Sequence, residues 1–301
     1  EVGGLTYEVT SETEVSVTDC DTEISGHLYI PEYAGYYGGM FEVTGIGRSA
    51  FQTCMELTSI EIPDSVTIIG ENAFEYCFEL VSMVIPERVT AIEEYAFSHC
   101  IKLKNIELPK NITTIESCTF LACESLGDIE IPNGVLSIGG GAFESSNLYS
   151  IDLPSSLISI EWYAFEGCEK LKNIKFNSNL TTIEEGVFMN CKELTSINIP
   201  NTTTSIGQNA FANCTSLTRI VIPDSVTKVG TYAFQGCVGV EEVTIGSGVT
   251  EFESKVFANC GNIKKLIFSD GIQKINSSMT SNMESSLEQV IIPDSVTTMG
   301  K

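Results

Sequence analysis

The chain has 301 residues, of which 40 are acidic and 16 are basic, so its formal net charge is −24. An acidic surplus of this size favours solubility and argues against nucleic acid or an anionic membrane as the partner. The sequence also lacks the roughly 20 consecutive apolar residues of a membrane-spanning helix, so we expect no direct membrane insertion of this segment.

The first 50 residues are predicted to form a β-rich N-terminal cap. Apolar and polar residues alternate over 5–9 and 14–17, as they do in strands with one buried face. Residues 28–31 match the strand of the later repeats, but fifteen residues separate Pro31 from Ile46 where the next unit has six. The extra residues include a glycine-rich turn, which predicts an irregular first repeat with a hairpin insertion.

From residue 51 onward the chain is built from a repeat marked by a phenylalanine. This phenylalanine recurs every 23 residues, with a single step of 22. A fixed period of this size predicts a solenoid, in which each coil packs only on its neighbours. The phenylalanines are Phe51, Phe74, Phe97, Phe120, Phe143, Phe165, Phe188, Phe211, Phe234 and Phe257.

The repeat unit is clearest in residues 57–77, which read LTSIEIPDSVTIIGENAFEYC. Apolar residues flank Glu61 on both sides, which indicates a strand with one buried face. Pro63 ends that strand because it has no N–H to continue the ladder. A second extended stretch turns at Gly70, and the apolar spacing over 73–80 predicts a short helical or 3-10 turn.

A few units depart from this pattern. The proline is replaced by Asn177, Gly246 and Ser269, and the cysteine becomes Ser146 in the coil where one residue is deleted. The last phenylalanine is replaced by residues 277–283. We expect this stretch to form a loosened coil or a small bulge, because it lacks the aromatic that fills the column.

The unit resembles that of the BspA-like leucine-rich repeat proteins, also called the Treponema pallidum leucine-rich repeat class, which has the same Ile-Pro-x-x-Val-x-x-Ile-Gly-x-x-Ala-Phe-x-x-Cys run. The resemblance extends from Leu28 to the end of the chain. It implies an α/β solenoid, a right-handed superhelix of about eleven coils, with a parallel strand ladder on one face and short helical or 3-10 turns on the other. We therefore divide the chain into a cap over 1–50 and a leucine-rich repeat solenoid over 51–301.

The two ends of the sequence suggest that the protein is longer than this chain and that it is exported. The last repeat is incomplete at Lys301, and a raw apolar end is a solubility hazard, which favours an excised piece of a longer protein. The first residue is Glu1, and a removed secretory signal would explain that start. The resemblance implies export to a bacterial surface or to the medium.

Nine of the eleven cysteines lie three residues after a repeat phenylalanine, so their place in the unit explains them better than disulfides or zinc. We predict a ladder of small buried apolar side chains. Cys20 and Cys118 lie outside this ladder and are the candidates for exposed thiols, although a buried or capped role is the plainer interpretation. The ladder comprises Cys54, Cys77, Cys100, Cys123, Cys168, Cys191, Cys214, Cys237 and Cys260.

Nothing in the sequence indicates catalysis. Of the two histidines, His27 falls in the cap and His99 at a variable repeat position that suggests a solvent-facing side chain. We predict no enzyme, no catalytic residue, no cofactor and no metal. Calcium is a minor alternative because the surface is acidic, but no calcium-loop motif is present. An enzyme or carbohydrate-binding module would require a pocket near Trp162, the single tryptophan.

The predicted strand face is the best candidate for function, because solenoids use such extended surfaces to bind other proteins. Each strand presents two solvent-facing residues; the first half of this face is acidic, and the second mixes basic with apolar side chains. The candidate contacts are Glu61, Glu107, Asp128, Glu130, Asp152, Lys175, Arg219, Val221, Lys265 and Ile267. The cap tyrosines Tyr33, Tyr36 and Tyr37 are a second candidate, since clustered aromatics are useful anchors. The alternative is that they pack on the first coil.

These features favour a non-enzymatic, adhesin-like protein-binding module at a cell surface or in the medium. The resemblance implies host matrix or plasma proteins such as fibronectin and fibrinogen, or another bacterial surface protein, as partners. The alternative is a structural stalk that displays another domain beyond Lys301, an interpretation that the incomplete last repeat suggests.

Overall fold

A computed structural model describes residues 4–21, 23–36, 38–176, 180–279 and 286–300. The chain separates into two compact units, Glu1–Leu148 and Tyr149–Lys301. Both units are built from stacked coils joined by parallel strands, so the predicted leucine-rich repeat solenoid, with about eleven coils in all, is confirmed. The proposed boundary between a cap and a solenoid at residue 50 stays a prediction.

The first unit holds two ladders and one separate strand pair. One ladder runs in the order β1-β2-β5-β7-β9, with β4 paired to β5, and the other in the order β10-β8-β6-β3; β11 pairs with β12. The strands are β1 Leu5–Val9, β2 Glu14–Cys20, β3 Gly26–Tyr29, β4 Tyr33–Tyr36, β5 Gly39–Ile46, β6 Leu57–Glu61, β7 Ile68–Ile69, β8 Ser82–Val84, β9 Ala91–Ile92, β10 Asn105–Glu107, β11 Thr114–Ile115 and β12 Ser137–Ile138.

In the second unit every pairing that joins two of its own described strands is parallel. The pairings are β13-β15, β16-β17-β19-β21, β18-β20-β22-β24 and β23-β25. The elements are β13 Ser150–Asp152, β14 Ser159–Ile160, β15 Asn173–Lys175, β16 Thr182–Ile183, β17 Ser205–Ile206, β18 Arg219–Ile222, β19 Lys228–Val229, β20 Glu242–Ile245, β21 Glu251–Phe252, β22 Lys265–Phe268, β23 Lys274–Ile275, a 3-10 helix at Ser277–Met279, β24 Gln289–Ile291 and β25 Thr298–Met299.

The repeat phenylalanines form a stacked column in each unit. In the first unit the ring centroids from Phe51 to Phe143 are 5.1–5.6 Å apart, and in the second those from Phe165 to Phe257 are 5.2–5.7 Å apart. All ten rings are buried. Like residues therefore stack on like, and the apolar face that one coil cannot bury alone is buried against its neighbours.

The segments around the phenylalanines correct one part of the predicted fold. They consist of successive turns, and the 3-10 helix Ser277–Met279 is the only helix in the described part of the chain. The cause is a pair of left-handed residues, one two positions before and one two positions after each phenylalanine, with φ between 55° and 70°. A right-handed helix cannot pass through such residues. Their N–H groups donate to the next coil instead: Asn72 and Tyr76, for example, donate to the carbonyls of Glu94 and Ser98 at 3.0 and 2.9 Å.

The whole cysteine ladder is buried as predicted, and all of its members except Cys54 are free thiols. Cys54 forms a disulfide with Cys20, which ties the N-terminal strands to the first coil, so neither residue is a free thiol. Cys118 is buried and not exposed. In the ladder, thiol groups donate to the carbonyl of the phenylalanine one coil back; Cys77, for example, donates to Phe51 at 3.2 Å.

The N-terminal strands extend the first ladder beyond the repeats. Strands β4 and β5 pair antiparallel, with Tyr36 opposite Gly39, so they form a hairpin. Strand β2 pairs parallel with β5, and its Val15 and Val17 are buried. At the other end, the stretch predicted to be a loosened coil begins with the 3-10 helix, and its remaining residues lie outside the described ones.

Candidate protein-binding strand face

The ladder β10-β8-β6-β3 positions Glu61 and Glu107, whereas the candidates Asp128 and Glu130, which were expected on a strand, lie in a segment that forms none. Because alternate residues of a strand point to opposite faces, the parallel register aligns the outward side chains into two rows. One row contains Tyr29, Glu61, Val84 and Glu107. The other contains His27, Ser59, Ser82 and Asn105. The inward residues between these rows pack in the core, so the rows are held on a rigid sheet.

This face carries an aromatic group on its edge strand β3 and an apolar group on β8. Tyr29 is 59% exposed and Val84 is 70% exposed, high values for such side chains. His27 contacts Ser59 at 2.8 Å through Nδ1, and its Nε2 lies 3.4 Å from a carboxylate oxygen of Glu61. Our sequence-based candidates omitted His27, Tyr29 and Val84. The signal was present, because residues 28–31 match the repeat strand and Tyr29 aligns with Glu61.

Carboxylates border these apolar groups. Glu107, Asp128 and Glu130 line one groove together with Asp64 and Val84, and all are exposed. None of those three candidate acids has an ion-pair partner within the described part of the chain. The groove also contains Arg88 and a pair between Lys110 and Glu87 at 3.9 Å. The balance of charge along its floor is negative.

The strand face of the second unit is charged but internally paired. Arg219 lies 2.9 Å from Glu242, which also pairs with Lys265 at 3.0 Å, so three successive strands carry alternating charges. Lys175 pairs with Asp152 at 3.5 Å. These pairs are exposed and contribute little stability, but they satisfy charge within the molecule.

An apolar row runs beside those pairs. The register places Val221, Thr244, Ile267 and Ile291 in one line across β18, β20, β22 and β24. Val221 is 38% exposed, whereas Ile267 is half-buried. The structure therefore brings Val221 and Ile267 into one row, with a threonine between them.

The cap tyrosines are only partly described. Tyr33 is 47% exposed and lies opposite Glu42 on the hairpin. The backbone of Tyr36 pairs with Gly39, but its side chain and the whole of Tyr37 lie outside the described residues. Their role as anchors stays a prediction.

The single tryptophan lies in an exposed aromatic pair beside a carboxylate. Trp162 is 54% exposed and packs edge-on against Tyr163, with ring centroids 6.2 Å apart. The Tyr163 hydroxyl donates to Glu185 at 2.7 Å, and this bond to a carboxylate raises the pKa of Tyr163 to about 12. Gln208 donates to the same carboxylate oxygen at 3.2 Å. Glu185 is thus engaged in holding adjacent coils together.

The structure also shows the surroundings of His99 and the arrangement of potential metal ligands. His99 is half-buried, not solvent-facing: its ring lies 4.7 Å from that of Tyr76, and its Nδ1 contacts the Ser98 hydroxyl at 2.8 Å. Among the described residues, no group of three or more His, Cys, Asp or Glu is arranged to hold a metal ion. No helix in the same residues is long and apolar enough to cross a membrane.

The repeat geometry agrees with a sequence profile. The profile of the BspA type leucine rich repeat region matches residues 44–161, 137–263 and 181–301, with six copies. These matches cover most of the chain.

The chain belongs to the BspA-type leucine-rich repeat family.

Solved structures of other bacterial repeat proteins resemble this BspA-type chain. A leucine-rich repeat protein from Bacteroides ovatus is 26% identical over 100% of this chain and 78% of its own, with a TM-score of 0.73. A leucine-rich cell surface protein from Faecalibacterium prausnitzii is 23% identical over 100% of this chain and 93% of its own, with a TM-score of 0.57. The pneumococcal vaccine antigen PcpA is 17% identical over 100% of this chain and 98% of its own, with a TM-score of 0.53. The last two similarities show the fold alone.

No curated protein matches the chain. BspA-type repeat proteins are typically surface-exposed or secreted, and their solenoids are typically non-enzymatic. Leucine-rich repeat domains generally mediate protein–protein interactions.

Proposed function

We propose that this BspA-type chain is a non-enzymatic, adhesin-like protein-binding module that acts at a bacterial cell surface or in the medium. The observation that supports this function best is the strand face of the first unit, where exposed Tyr29 and Val84 lie beside carboxylates that have no ion-pair partner in the described residues. This face is the contact surface.

The physical basis is the contrast between the two units. Charges that pair within the molecule, as at Arg219 and Glu242, are already neutralised when a partner arrives. The carboxylates of Glu107, Asp128 and Glu130 gain from a basic partner, because they steer its approach and pair with it after contact. Tyr29 and Val84 supply the apolar area that a protein contact buries at its centre.

The partner class follows from the family. Host matrix or plasma proteins such as fibronectin and fibrinogen are the first to test, followed by surface proteins of other bacteria. A positively charged segment of such a partner fits the acidic groove.

The test is binding of the purified chain to immobilised fibronectin and fibrinogen across a salt series. We expect saturable binding that weakens as salt rises. The triple variant Glu107→Lys, Asp128→Lys and Glu130→Lys is expected to weaken binding by about tenfold or more, since it replaces attraction by repulsion.

A matched control distinguishes a loss of binding caused by charges on the strand face from a loss caused by the change in net charge. The triple variant Glu56→Lys, Glu94→Lys and Glu124→Lys changes the net charge by the same amount at exposed positions in the turn segments. It is expected to bind about as well as the unmodified chain. Equal losses in both triple variants would remove the strand face from consideration, and no saturable binding to either protein would favour the stalk interpretation.

A further inference from the structure

One turn on the candidate face carries a reactive dipeptide. Residues 132–135 form a β-turn closed by the N–H of Val135, which donates to the carbonyl of Pro132 at 3.0 Å. The two central residues, Asn133 and Gly134, are exposed, and both line the same groove as Asp128 and Glu130. Asn133–Gly134 is the single Asn-Gly pair in the sequence.

The backbone N–H of Gly134 is available for reaction. It donates to no acceptor in the part of the chain that the structure describes. Glycine has no side chain to shield its nitrogen, and a Cβ added at Gly134 would come no closer than 3.5 Å to the carbonyl oxygens of Ile112 and Lys110. Both residues of the pair are exposed, so solvent reaches this turn.

A second coil shows the opposite arrangement at the same repeat position. Asp270 and Gly271 occupy the corresponding turn, but the Gly271 N–H donates to the Ser295 hydroxyl oxygen at 3.1 Å. That nitrogen must break a hydrogen bond before it can react. The molecule therefore contains a restrained counterpart of the turn at Asn133.

We propose that Asn133 is a site of spontaneous deamidation. After hydroxide removes its proton, the Gly134 nitrogen attacks the side-chain amide carbon of Asn133. A C–N bond forms, the C–N bond of the side-chain amide breaks, and the amide nitrogen takes a proton from water and leaves as ammonia, which restores the hydroxide and leaves a five-membered succinimide. Water then opens the succinimide at either carbonyl, which gives aspartate or isoaspartate. Only water is consumed, and no oxidant or reductant is required.

The modification changes the candidate face. It replaces a neutral amide by a carboxylate beside Asp128 and Glu130 in the groove. The isoaspartate product also adds a backbone atom to the turn that follows this rung of the face. The effect on a basic partner rests on the proposed function, but the reaction itself does not.

The test follows the modification directly by mass spectrometry. The purified full chain is incubated under native conditions at neutral and mildly alkaline pH, digested at intervals and mapped. We expect the peptide containing Asn133 to gain the mass of the amide-to-acid exchange, with aspartate and isoaspartate forms that separate by chromatography, and faster at the higher pH. An Asn133→Gln variant is expected to stay unmodified there. An unchanged peptide, under conditions where a synthetic peptide of residues 128–138 converts, would overturn the proposal.

An internal comparison tests the role of the free N–H. The Asp270→Asn variant places the same dipeptide in the restrained turn, and it is expected to deamidate several-fold more slowly than Asn133 in the same molecule. Adding Ser295→Ala removes the acceptor and is expected to raise the rate at position 270. Equal rates at both turns would show that sequence alone controls the reaction. These readouts are independent of binding, so they stand even if no partner binds the strand face.

Discussion

Three residues after the repeat phenylalanine, the coils that follow the first one bury a small side chain, and in many of them it donates a hydrogen bond. The thiols of Cys100, Cys123 and Cys214 each donate to the phenylalanine carbonyl one coil back, at 3.1–3.2 Å. Where the cysteine is missing, Ser146 donates to Phe120 at 2.7 Å. The sequence predicts the burial of this position, but the hydrogen bond became evident only from the geometry.

A cysteine-to-alanine change tests this bond. Cys214→Ala removes one of the two donors to the buried carbonyl of Phe188, which keeps the Cys191 N–H at 3.3 Å, and we expect a loss of about 0.5–1.5 kcal/mol in the free energy of unfolding. Cys214→Ser retains a donor, as Ser146 does, and is expected to lose less. Urea denaturation of the two variants measures the difference, and a serine variant as unstable as the alanine variant would contradict the role of the bond.

The buried thiols also predict a response to alkaline pH. Burial raises the pKa of Cys77 to about 12 and that of Cys214 well above its ordinary value. In the unfolded chain these thiols ionise near pH 8.5. The stability they contribute is therefore complete below that pH and is lost progressively as the pH rises toward 12, with a slope of up to about 1.4 kcal/mol per pH unit for each thiol.

Urea denaturation between neutral pH and pH 11 measures that slope. The comparison is a Cys191→Ser, Cys214→Ser double variant, which has the same tyrosines and lysines. We expect a shallower decline in the double variant. Identical slopes would assign the alkaline loss to other groups.

The turn segments show where the sequence was sufficient and where it was not. Alternation around Glu61 and the proline after it predict strand β6 correctly, because both depend on local chemistry, but the same pattern at 129–132 and 197–200 forms no strand. The apolar spacing over 73–80 predicts a helical turn, but paired left-handed residues bury the same stripe without a helix. Frequent asparagine and glycine at these positions, such as Asn72 and Gly186, were the signal for that conformation.

For the candidate strand face, too, one part could be predicted from the sequence and another part could not. Its rows follow from the period of two and the repeat length, so Glu61 and Glu107 could be placed from sequence. Tyr29 was missed because its coil was assigned to the cap. The pairing of Arg219 with Glu242 required side-chain geometry, since charge order alone does not show which groups meet.

A substitution at Gly186 tests whether the turn positions require residues that adopt a left-handed backbone conformation. Gly186 has φ +62°, and a Cβ there would overlap the ring of Tyr163. We expect Gly186→Ala to lower the free energy of unfolding by more than about 1 kcal/mol, from backbone strain and the overlap together. In a Tyr163→Ala background the same change is expected to cost less. A double-mutant cycle in urea checks this, and additive losses would exclude the overlap.

At the scale of the whole molecule, charge is the dominant feature. The net charge of −24 opposes compaction, while ion pairs between neighbouring coils, such as Lys192 with Glu169 at 2.6 Å, favour it. Exposed pairs contribute little individually, so the uncompensated surplus of carboxylates is the larger effect.

The dependence of stability on salt concentration distinguishes the repulsion between carboxylates from the attraction within ion pairs. Screening reaches about 8 Å at 0.15 M ionic strength, a range that covers repulsion between carboxylates of neighbouring coils. We expect the melting temperature to rise as sodium chloride increases from a few millimolar to about that concentration. A falling melting temperature would show that the ion pairs outweigh the repulsion.

The constancy of the coil has a consequence for how the chain finds its register during folding. Because thiol, phenylalanine carbonyl and turn N–H recur at nearly the same spacing, a strand displaced by one whole coil meets almost the same partners as in the native alignment. Such a slip would expel one coil as a loop at little local cost. The first coil is distinguished from the others by its hairpin insertion and by the Cys20–Cys54 disulfide. These two features fix the starting point from which the remaining coils are counted.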